Sequence, residues 1–170
     1  NLEGTRPILI EIQALVDKSM LPNPKRLTVG TDAQRLTMLL AILHRHVTLS
    51  TYDQDVFLNA VGGIKINETA SDLAVLIAIV SSMTNQAVSS KTAIFGEVGL
   101  GGEIRPVSRG QERIKEASKL GFKRIIVPLK NKASDIPDVE IIGVDNLRDA
   151  VKVVFGSNRV KNDEQIYPDE

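Results

Sequence analysis

The chain has 170 residues, of which 42% are hydrophobic, with 21 basic and 21 acidic side chains and no cysteine. That length and apolar content fit one domain with a sizeable core, and the lack of cysteine excludes disulfides, thiolate zinc sites and cysteine nucleophiles. The longest apolar run, residues 73–80, is far shorter than a membrane span, so we expect no membrane partner, and the lack of cysteine is typical of a cytoplasmic protein. Because the chain starts at Asn1 rather than methionine, we expect a piece of a longer polypeptide.

The first elements are predicted as two strands and a helix. Residues 6–16 and 25–30 are strand-like, and the proline-rich stretch between them predicts a long-looped hairpin. Thr31 and Gln34 form a capping box that begins a helix over about residues 32–46. Its predicted buried stripe consists of Leu36, Leu39, Leu40, Leu43 and Val47.

A strand over residues 55–66 precedes an almost wholly apolar helix that begins near residue 70. Thr69 and Asp72 have the spacing of a capping box, so Thr69 is the expected N-cap and Asp72 its reciprocal partner. Because apolar residues cover every face of this helix, we expect it in the middle of the core. A second interpretation makes Ser71 a nucleophile with an acidic neighbour.

The second half alternates strands and helices. Residues 91–107 predict two strands joined near Gly101 and Gly102, and Ser108 with Gln111 predicts the cap of a helix that ends at Gly121. Short strands follow, and then a final helix and a polar tail. Their predicted extents are 124–128 and 139–144 for the strands, a helix capped by Asp145, and 156–170 for the flexible tail. This alternation predicts an α/β or α+β fold with helices packed on a mixed sheet.

The charges are unevenly distributed. Residues 103–132 carry nine Lys and Arg against three Glu, a net charge of +6, so the rest of the chain carries −6. Such a segment is typical either of a surface that binds polyanions or of an ordinary solvated helix face. His44 and His46 point to different faces of the predicted helix, so no metal site is expected.

One long segment resembles a known family. Residues 95–128, which read FGEVGLGGEIRPVSRGQERIKEASKLGFKRIIVP, are similar to the corresponding part of Lon-type serine proteases. With residues 3–16 and 68–82, the chain more narrowly resembles the Lon-like domain of the bacterial RadA (Sms) family of DNA repair and recombination ATPases. The resemblance covers residues 1–155 and implies a Lon proteolytic-domain fold, which is like ribosomal S5 domain 2. It leaves the tail 156–170 unexplained.

The resemblance also implies where protease chemistry would lie. Aligned from Gly96 without gaps, Ala70 stands at the nucleophile position and Arg113 at the position of the basic lysine, although a shift of one residue would bring in Ser71. A Ser-Lys dyad needs a neutral amine, whereas arginine stays protonated in proteins. We therefore expect a protease fold with no catalytic residues.

The resemblance to the RadA family also implies a role for this domain. We expect a non-proteolytic scaffold that assembles as a homo-oligomeric ring, expected to be a hexamer, and that associates with single-stranded or branched DNA. The full-length protein would be an ATP-hydrolysing motor for branch migration, with a recombinase as a further partner. ATP, magnesium and zinc would belong to its other parts, and this domain would hold no cofactor. The alternatives are an active Lon-like peptidase that uses Ser71, and a pseudo-protease that binds peptides.

The basic segment supplies the candidates for DNA contact, which are Arg105, Arg109, Arg113 and Lys119. Arg109 and Arg113 are four residues apart on one helical face, so we expect them to face outward toward phosphates. Ile114 and Ala117 of the same helix would turn toward the core. The alternative is that these arginines pair with acidic residues, within one subunit or across a ring.

Overall fold

The computed structural model describes residues 9–61 and 68–156, which form a mixed α/β fold as expected. The strands are β1 (Ile12–Lys18), β2 (Arg26–Val29), β3 (Gln54–Ala60), β4 (Thr92–Ile94), β5 (Glu97–Val98), β6 (Ile104–Arg105), β7 (Arg124–Pro128) and β8 (Glu140–Val144). The helices are α1 (Ala33–Val47), α2 (Asp72–Thr84), α3 (Gly110–Lys119) and α4 (Leu147–Phe155), and Thr69–Ser71 and Leu129–Asn131 form short 3₁₀ turns. Apart from Gly156, the predicted tail lies outside the described residues.

The first sheet has the order β1-β3-β2, so the predicted hairpin of the first two strands is wrong. β3 lies between them, antiparallel to β1 and parallel to β2. The physical reason is burial: Val56 and Leu58 of β3 are almost fully buried, and the central position of a sheet gives them neighbours on both sides. The outer parts of two predicted strands, residues 6–8 and 62–66, lie outside the described residues.

The second sheet is parallel and has the order β4-β7-β8. Ile125, Ile126 and Val127 of its central strand are fully buried, as expected for a parallel strand covered on both faces. Ile126 belongs to the larger core, which also contains α1, α2 and α4, whereas Ile125 and Val127 belong to a smaller core with α3. Both predicted strands of this region are confirmed.

Between these two sheets in the sequence, β5 and β6 form a small antiparallel hairpin. Its turn closes through hydrogen bonds from the Gly99 N–H to the Glu103 carbonyl and from the Gly102 N–H to the Gly99 carbonyl, each 2.9 Å long. Gly102 adopts a φ of +78°, which glycine tolerates without strain. The predicted turn near these glycines is confirmed.

α2 is the central helix of the larger core, as predicted from its apolar sequence. Leu73, Leu76 and Ile79 are fully buried, and the helix packs mainly against β1. The predicted stripe of α1 is also buried throughout.

The helix caps differ from the predictions. Asp32 rather than Thr31 caps α1, and Asn146 rather than Asp145 caps α4. In both cases the capping residue has an extended backbone, so that its side-chain oxygen accepts a hydrogen bond from an N–H of the first turn. Ser108 does not cap α3 either, since that helix begins two residues later with no side-chain cap.

Candidate functional site

The structure joins the start of α2 to the connection between β4 and β5. The Gly96 N–H donates to the Ala70 carbonyl at 2.8 Å, and the Leu73 N–H donates to the Gly96 carbonyl at 3.0 Å. A Cβ atom on Gly96 would lie 3.1 Å from Ile104 and 3.2 Å from Pro128. Glycine at this position therefore lets the β4–β5 connection pass close to Ile104 and Pro128 while its backbone bonds to the start of α2.

Arg113 lies beside this junction and is buried, with 7% of its surface exposed. Its guanidinium group is 3.3 Å from the Glu68 carboxylate, donates at 3.1 Å to the Ser108 carbonyl and lies 6.0 Å from the centre of the Phe95 ring. The prediction that Arg113 faces outward is therefore wrong, because these three groups hold its side chain against the start of α2.

The two predicted dyad positions thus belong to one neighbourhood, since Glu68 precedes Ala70 by two residues and contacts Arg113. Ala70 is buried and has no reactive group. A guanidinium group stays protonated and does not accept a proton from a hydroxyl. The neighbourhood holds an ion pair where a Ser-Lys dyad would need a hydroxyl and a neutral amine.

The hydroxyl group of Ser71 bonds locally. It donates to the Glu68 carbonyl oxygen at 3.0 Å, and Ser71 ends the 3₁₀ turn that precedes α2. Neither the 3₁₀ turn nor α2 has a side-chain cap, and Thr69 is exposed. The capping box predicted for Thr69 and Asp72 is therefore wrong.

Asp72 has a different role, because its side chain is buried and paired with Arg35 of α1. Both carboxylate oxygens accept from that guanidinium group, with 3.1 Å between Nε and Oδ1, and Oδ2 also accepts from the Val98 N–H at 3.1 Å. Burial raises the pKa of the Asp72 carboxyl above its ordinary value, while the hydrogen bonds from Arg35 and Val98 act in the lowering direction. The carboxylate faces Arg35 and so cannot reach back to the helix start.

A cavity of about 130 Å³ opens next to this ion pair. It lies between the N-terminal turns of α1 and α2, and its wall combines apolar side chains with acidic groups and one arginine. The lining residues are Thr31, Asp32, Arg35, Leu36, Leu39, Leu58, Glu68, Thr69, Ser71, Asp72 and Val75. Ser71 therefore has no lysine or histidine beside it in this lining that could accept its proton.

Two of the candidate DNA-binding arginines form ion pairs on the surface. Arg105 lies 2.6 Å from Glu103, and Arg109 pairs with Glu112. The hydrogen bond from Arg105 lowers the pKa of Glu103, and that from Arg109 lowers the pKa of Glu112. Lys119 is exposed, and no lysine takes part in a salt bridge within residues 9–61 and 68–156.

Metal-ligating side chains are dispersed in the part of the chain that the structure describes. No three His, Cys, Asp or Glu side chains converge there in a way that could hold a metal ion. Among the same residues, no helix is both long enough and apolar enough to cross a membrane.

Sequence reasoning missed the Arg35–Asp72 pair and the burial of Arg113. The partners are far apart in the chain, and no local periodicity links them. One signal was available: a carboxylate at the head of a helix that is apolar on every face will be buried with it, and a buried carboxylate requires a partner.

Comparison with known proteins gives two kinds of match. A family model described as "Subunit ChlI of Mg-chelatase" matches residues 37–131, more than half of the chain. Curated proteins named DNA repair protein RadA match most of it, in their C-terminal region. The protein from Pseudomonas aeruginosa is 56% identical over 154 residues, covering 90% of this chain and 34% of its own length. That from Haemophilus influenzae is 57% identical over 153 residues, covering 89% and 33%.

A relative with lower sequence identity has the same name. The DNA repair protein RadA of Bacillus subtilis is 44% identical over 158 residues, which cover 92% of this chain and 34% of that protein. The chain therefore spans about a third of the length of the curated relatives it matches.

Proposed function

The chain belongs to the family described as "Subunit ChlI of Mg-chelatase", and from its 42–57% identity to DNA repair proteins named RadA we propose that it is a Lon-like domain that assembles and associates with DNA without cleaving peptides. The Lon-like fold is supported by the two dyad positions, Ala70 and Arg113, which lie in one neighbourhood as that fold would require.

The buried Arg113 is the observation that carries the proposal. A general base in this position must lose its proton at neutral pH, which requires an apolar or positively charged environment. Arg113 instead has Glu68 as a neighbour at 3.3 Å, and that carboxylate favours a positive charge. Both the side chain and its surroundings therefore support a site that has no peptidase chemistry.

The peptidase alternative would depend on Ser71. Its hydroxyl group donates to the Glu68 carbonyl, and the cavity beside it is lined by acids and Arg35 rather than by lysine. A carboxylate-rich wall would also raise the pKa of a lysine supplied by another subunit, which opposes its action as a base. These contacts favour the non-proteolytic function.

The remaining parts of the proposal concern the whole protein. We infer a ring-shaped homo-oligomer, expected to be a hexamer, in the cytoplasm. ATP, magnesium and zinc would bind to parts of the protein beyond this domain, and DNA and a recombinase would be its partners. The names of the curated relatives support a role in DNA repair.

Incubation with an unstructured protein and with fluorogenic peptides tests the proposal, with an active Lon protease as positive control. We expect no product from the wild-type chain. Turnover that disappears in Ser71→Ala would contradict the proposal and establish the peptidase alternative. Saturable peptide binding without turnover would instead favour the pseudo-protease.

A further inference from the structure

The first sheet has an apolar outer face, defined here as Leu15, Leu27, Val29 and Phe57. Their neighbours in sequence point to the other face, because side chains alternate along a strand, and Val16, Val56 and Leu58 are buried there. Leu15, Leu27 and Val29 are 57%, 55% and 58% exposed. The sheet therefore has a core on one face and an exposed apolar surface on the other.

These side chains are contiguous. Leu15 of β1 and Leu27 of β2 both lie in register with Phe57 of the central strand, one on each side of it. Val29 lies one step along the same face, beside Asn59. A single exposed leucine needs no explanation, whereas a row across three strands is typical of an interaction site.

The same face ends in two acidic residues. Asp17 lies directly opposite Asp55 in the register of β1 and β3. The Lys25 N–H donates to the Asp55 carboxylate at 2.7 Å, and this hydrogen bond lowers the pKa of Asp55. The two carboxylates make this end of the face acidic, so a binding partner that covers the apolar outer face and brings positive charge there would be complementary to it.

This chain has a surface with the complementary chemistry, defined here as Lys91, Leu120 and Lys123 and called the basic edge. Leu120 is 58% exposed at the end of α3, and the Lys123 N–H donates to the Lys91 carbonyl at 2.9 Å, which places the two lysines side by side. Neither lysine takes part in a salt bridge with another described residue. The basic edge therefore offers two exposed cations and, three residues before Lys123 in the sequence, an exposed leucine.

We propose that the apolar outer face of one copy binds the basic edge of a second copy, with Leu120 against Leu15, Phe57 and Leu27, and Lys91 and Lys123 toward Asp17 and Asp55. The two surfaces are different, so the contact is heterologous, and heterologous contacts close into rings when the rotation between copies permits it. The inference rests on the assembly in the proposed function and identifies the surfaces that make it.

The mass of the 170-residue chain across a concentration series tests the outer face. Leu15→Glu and Leu27→Glu place a charge at exposed positions, so the fold should persist, and Leu100→Glu at a leucine that is 69% exposed elsewhere is the matched control. We expect the first two to weaken association about tenfold or more and the control to leave it unchanged. Circular dichroism confirms that all variants are folded.

The lack of cysteine in this chain allows a direct test of the pairing. Leu27→Cys and Leu120→Cys are mixed under mild oxidation, and we expect a disulfide between the two variants, in excess over either variant alone and over Leu27→Cys mixed with Leu100→Cys. Equal cross-linking in all mixtures overturns the inference.

The outcomes separate the inference from the proposed assembly. If the wild type stays monomeric at every concentration, the proposed assembly of this domain fails and the inference fails with it. If the wild type associates and both outer-face variants associate equally well, the inference alone is overturned and assembly stands.

Discussion

Arg35 and Asp72 hold the backbone of the same residue from both sides. Asp72 accepts from the Val98 N–H at 3.1 Å, and Arg35 donates to the Val98 carbonyl at 3.3 Å while it pairs with Asp72. The ion pair therefore joins α1, α2 and the β5–β6 hairpin at one point. Because both carboxylate oxygens have hydrogen-bond donors, the Asp72 side chain, which is 2% exposed, is tolerated within the core.

Asp72→Asn should destabilise the domain by about 3 kcal/mol, because both carboxylate oxygens accept hydrogen bonds and the amide NH2 group that replaces one of them would face an N–H donor of Arg35 or Val98. Chemical denaturation measures this free energy of unfolding. Asp53→Asn, at an exposed acidic residue, is the matched control and should change the stability by less than about 0.5 kcal/mol. Equal effects of the two substitutions would contradict a structural role for the pair.

The stability difference between the wild type and Asp72→Asn should widen as the pH falls from neutral. Burial raises the folded-state pKa of Asp72 above its ordinary value of 3.8, so the folded state binds this proton more tightly than the unfolded state does. The contribution of Asp72 to stability is therefore lowest above the folded pKa and increases as the pH falls through it toward 3.8.

Other titrating groups, such as Glu103 and Glu112, are present in both proteins and cancel in this comparison. Denaturation of both proteins at a series of pH values measures the difference. A difference that narrows on acidification would mean that Arg35, rather than burial, determines the pKa of Asp72.

Placing serine and lysine at the two dyad positions that the resemblance implies should not produce peptidase activity. In the Ala70→Ser/Arg113→Lys double variant, the new lysine lies beside the Glu68 carboxylate, which keeps an amine protonated. A fluorogenic peptide assay checks this expectation, with the wild type as background. Adding Glu68→Gln removes the carboxylate, so activity that appears only in the triple variant would identify Glu68 as the group that prevents catalysis.

The side-chain caps can be ranked by substitution. The Asp32 carboxylate caps α1 by accepting a hydrogen bond from the Gln34 N–H at 3.0 Å. Asp32→Ala removes this cap and should lower the free energy of unfolding by about 1 kcal/mol. Thr69→Ala changes an exposed side chain that caps no helix and should be nearly neutral. Urea denaturation measures the loss of stability in each variant. A larger loss in Thr69→Ala than in Asp32→Ala would support the capping box predicted from the sequence.

Exposed lysines of α3 should contribute more to DNA affinity than the surface arginines do. Arg105 and Arg109 are held by carboxylates, whereas Lys115 and Lys119 are exposed and four residues apart on one helical face. Titration of DNA at two salt concentrations compares the Lys115→Ala/Lys119→Ala variant with the Arg105→Ala/Arg109→Ala variant.

The lysine variant should bind more weakly, and its logarithmic salt slope should fall by about 0.9 for each phosphate that the variant no longer neutralises. A greater decrease of affinity in the arginine variant would mean that DNA breaks the arginine–glutamate pairs on binding. Unchanged affinity in both variants would leave α3 a solvated face.

The elements predicted correctly are those whose residue pattern lies within the element itself. The stripe from Leu36 to Val47 has helical spacing, and residues 124–128 are apolar without alternation, so the structure confirms a one-sided helix and a strand buried on both faces. The pairing of strands cannot be read from neighbouring residues, because it depends on which strand gains most from burial at the centre of the sheet. Here β3 takes the central position, so β1 and β2 do not pair with each other as expected.

The candidate site was predictable in its location and not in its contacts. The resemblance indicated that the residues around Ala70 and Arg113 belong together, and Glu68 and Arg113 do meet. What each side chain does there depends on partners that are distant in the chain: Asp72 meets Arg35, which is 37 residues away. Capping patterns read from neighbours in sequence cannot include such a partner.

The central place of β3 also determines when the first sheet can form. Ile12 pairs with Ala60 and Arg26 pairs with Val56, so neither β1 nor β2 has a strand to pair with until residues 54–60 are available. Among the elements from β1 to β3, only α1 can therefore form from local contacts as this part of the chain is synthesised, and β1 and β2 stay unpaired until β3 follows. Long loops must close before the sheet gains its hydrogen bonds, which makes sheet closure a slow step and leaves the edges of β1 and β2 open to other chains during synthesis.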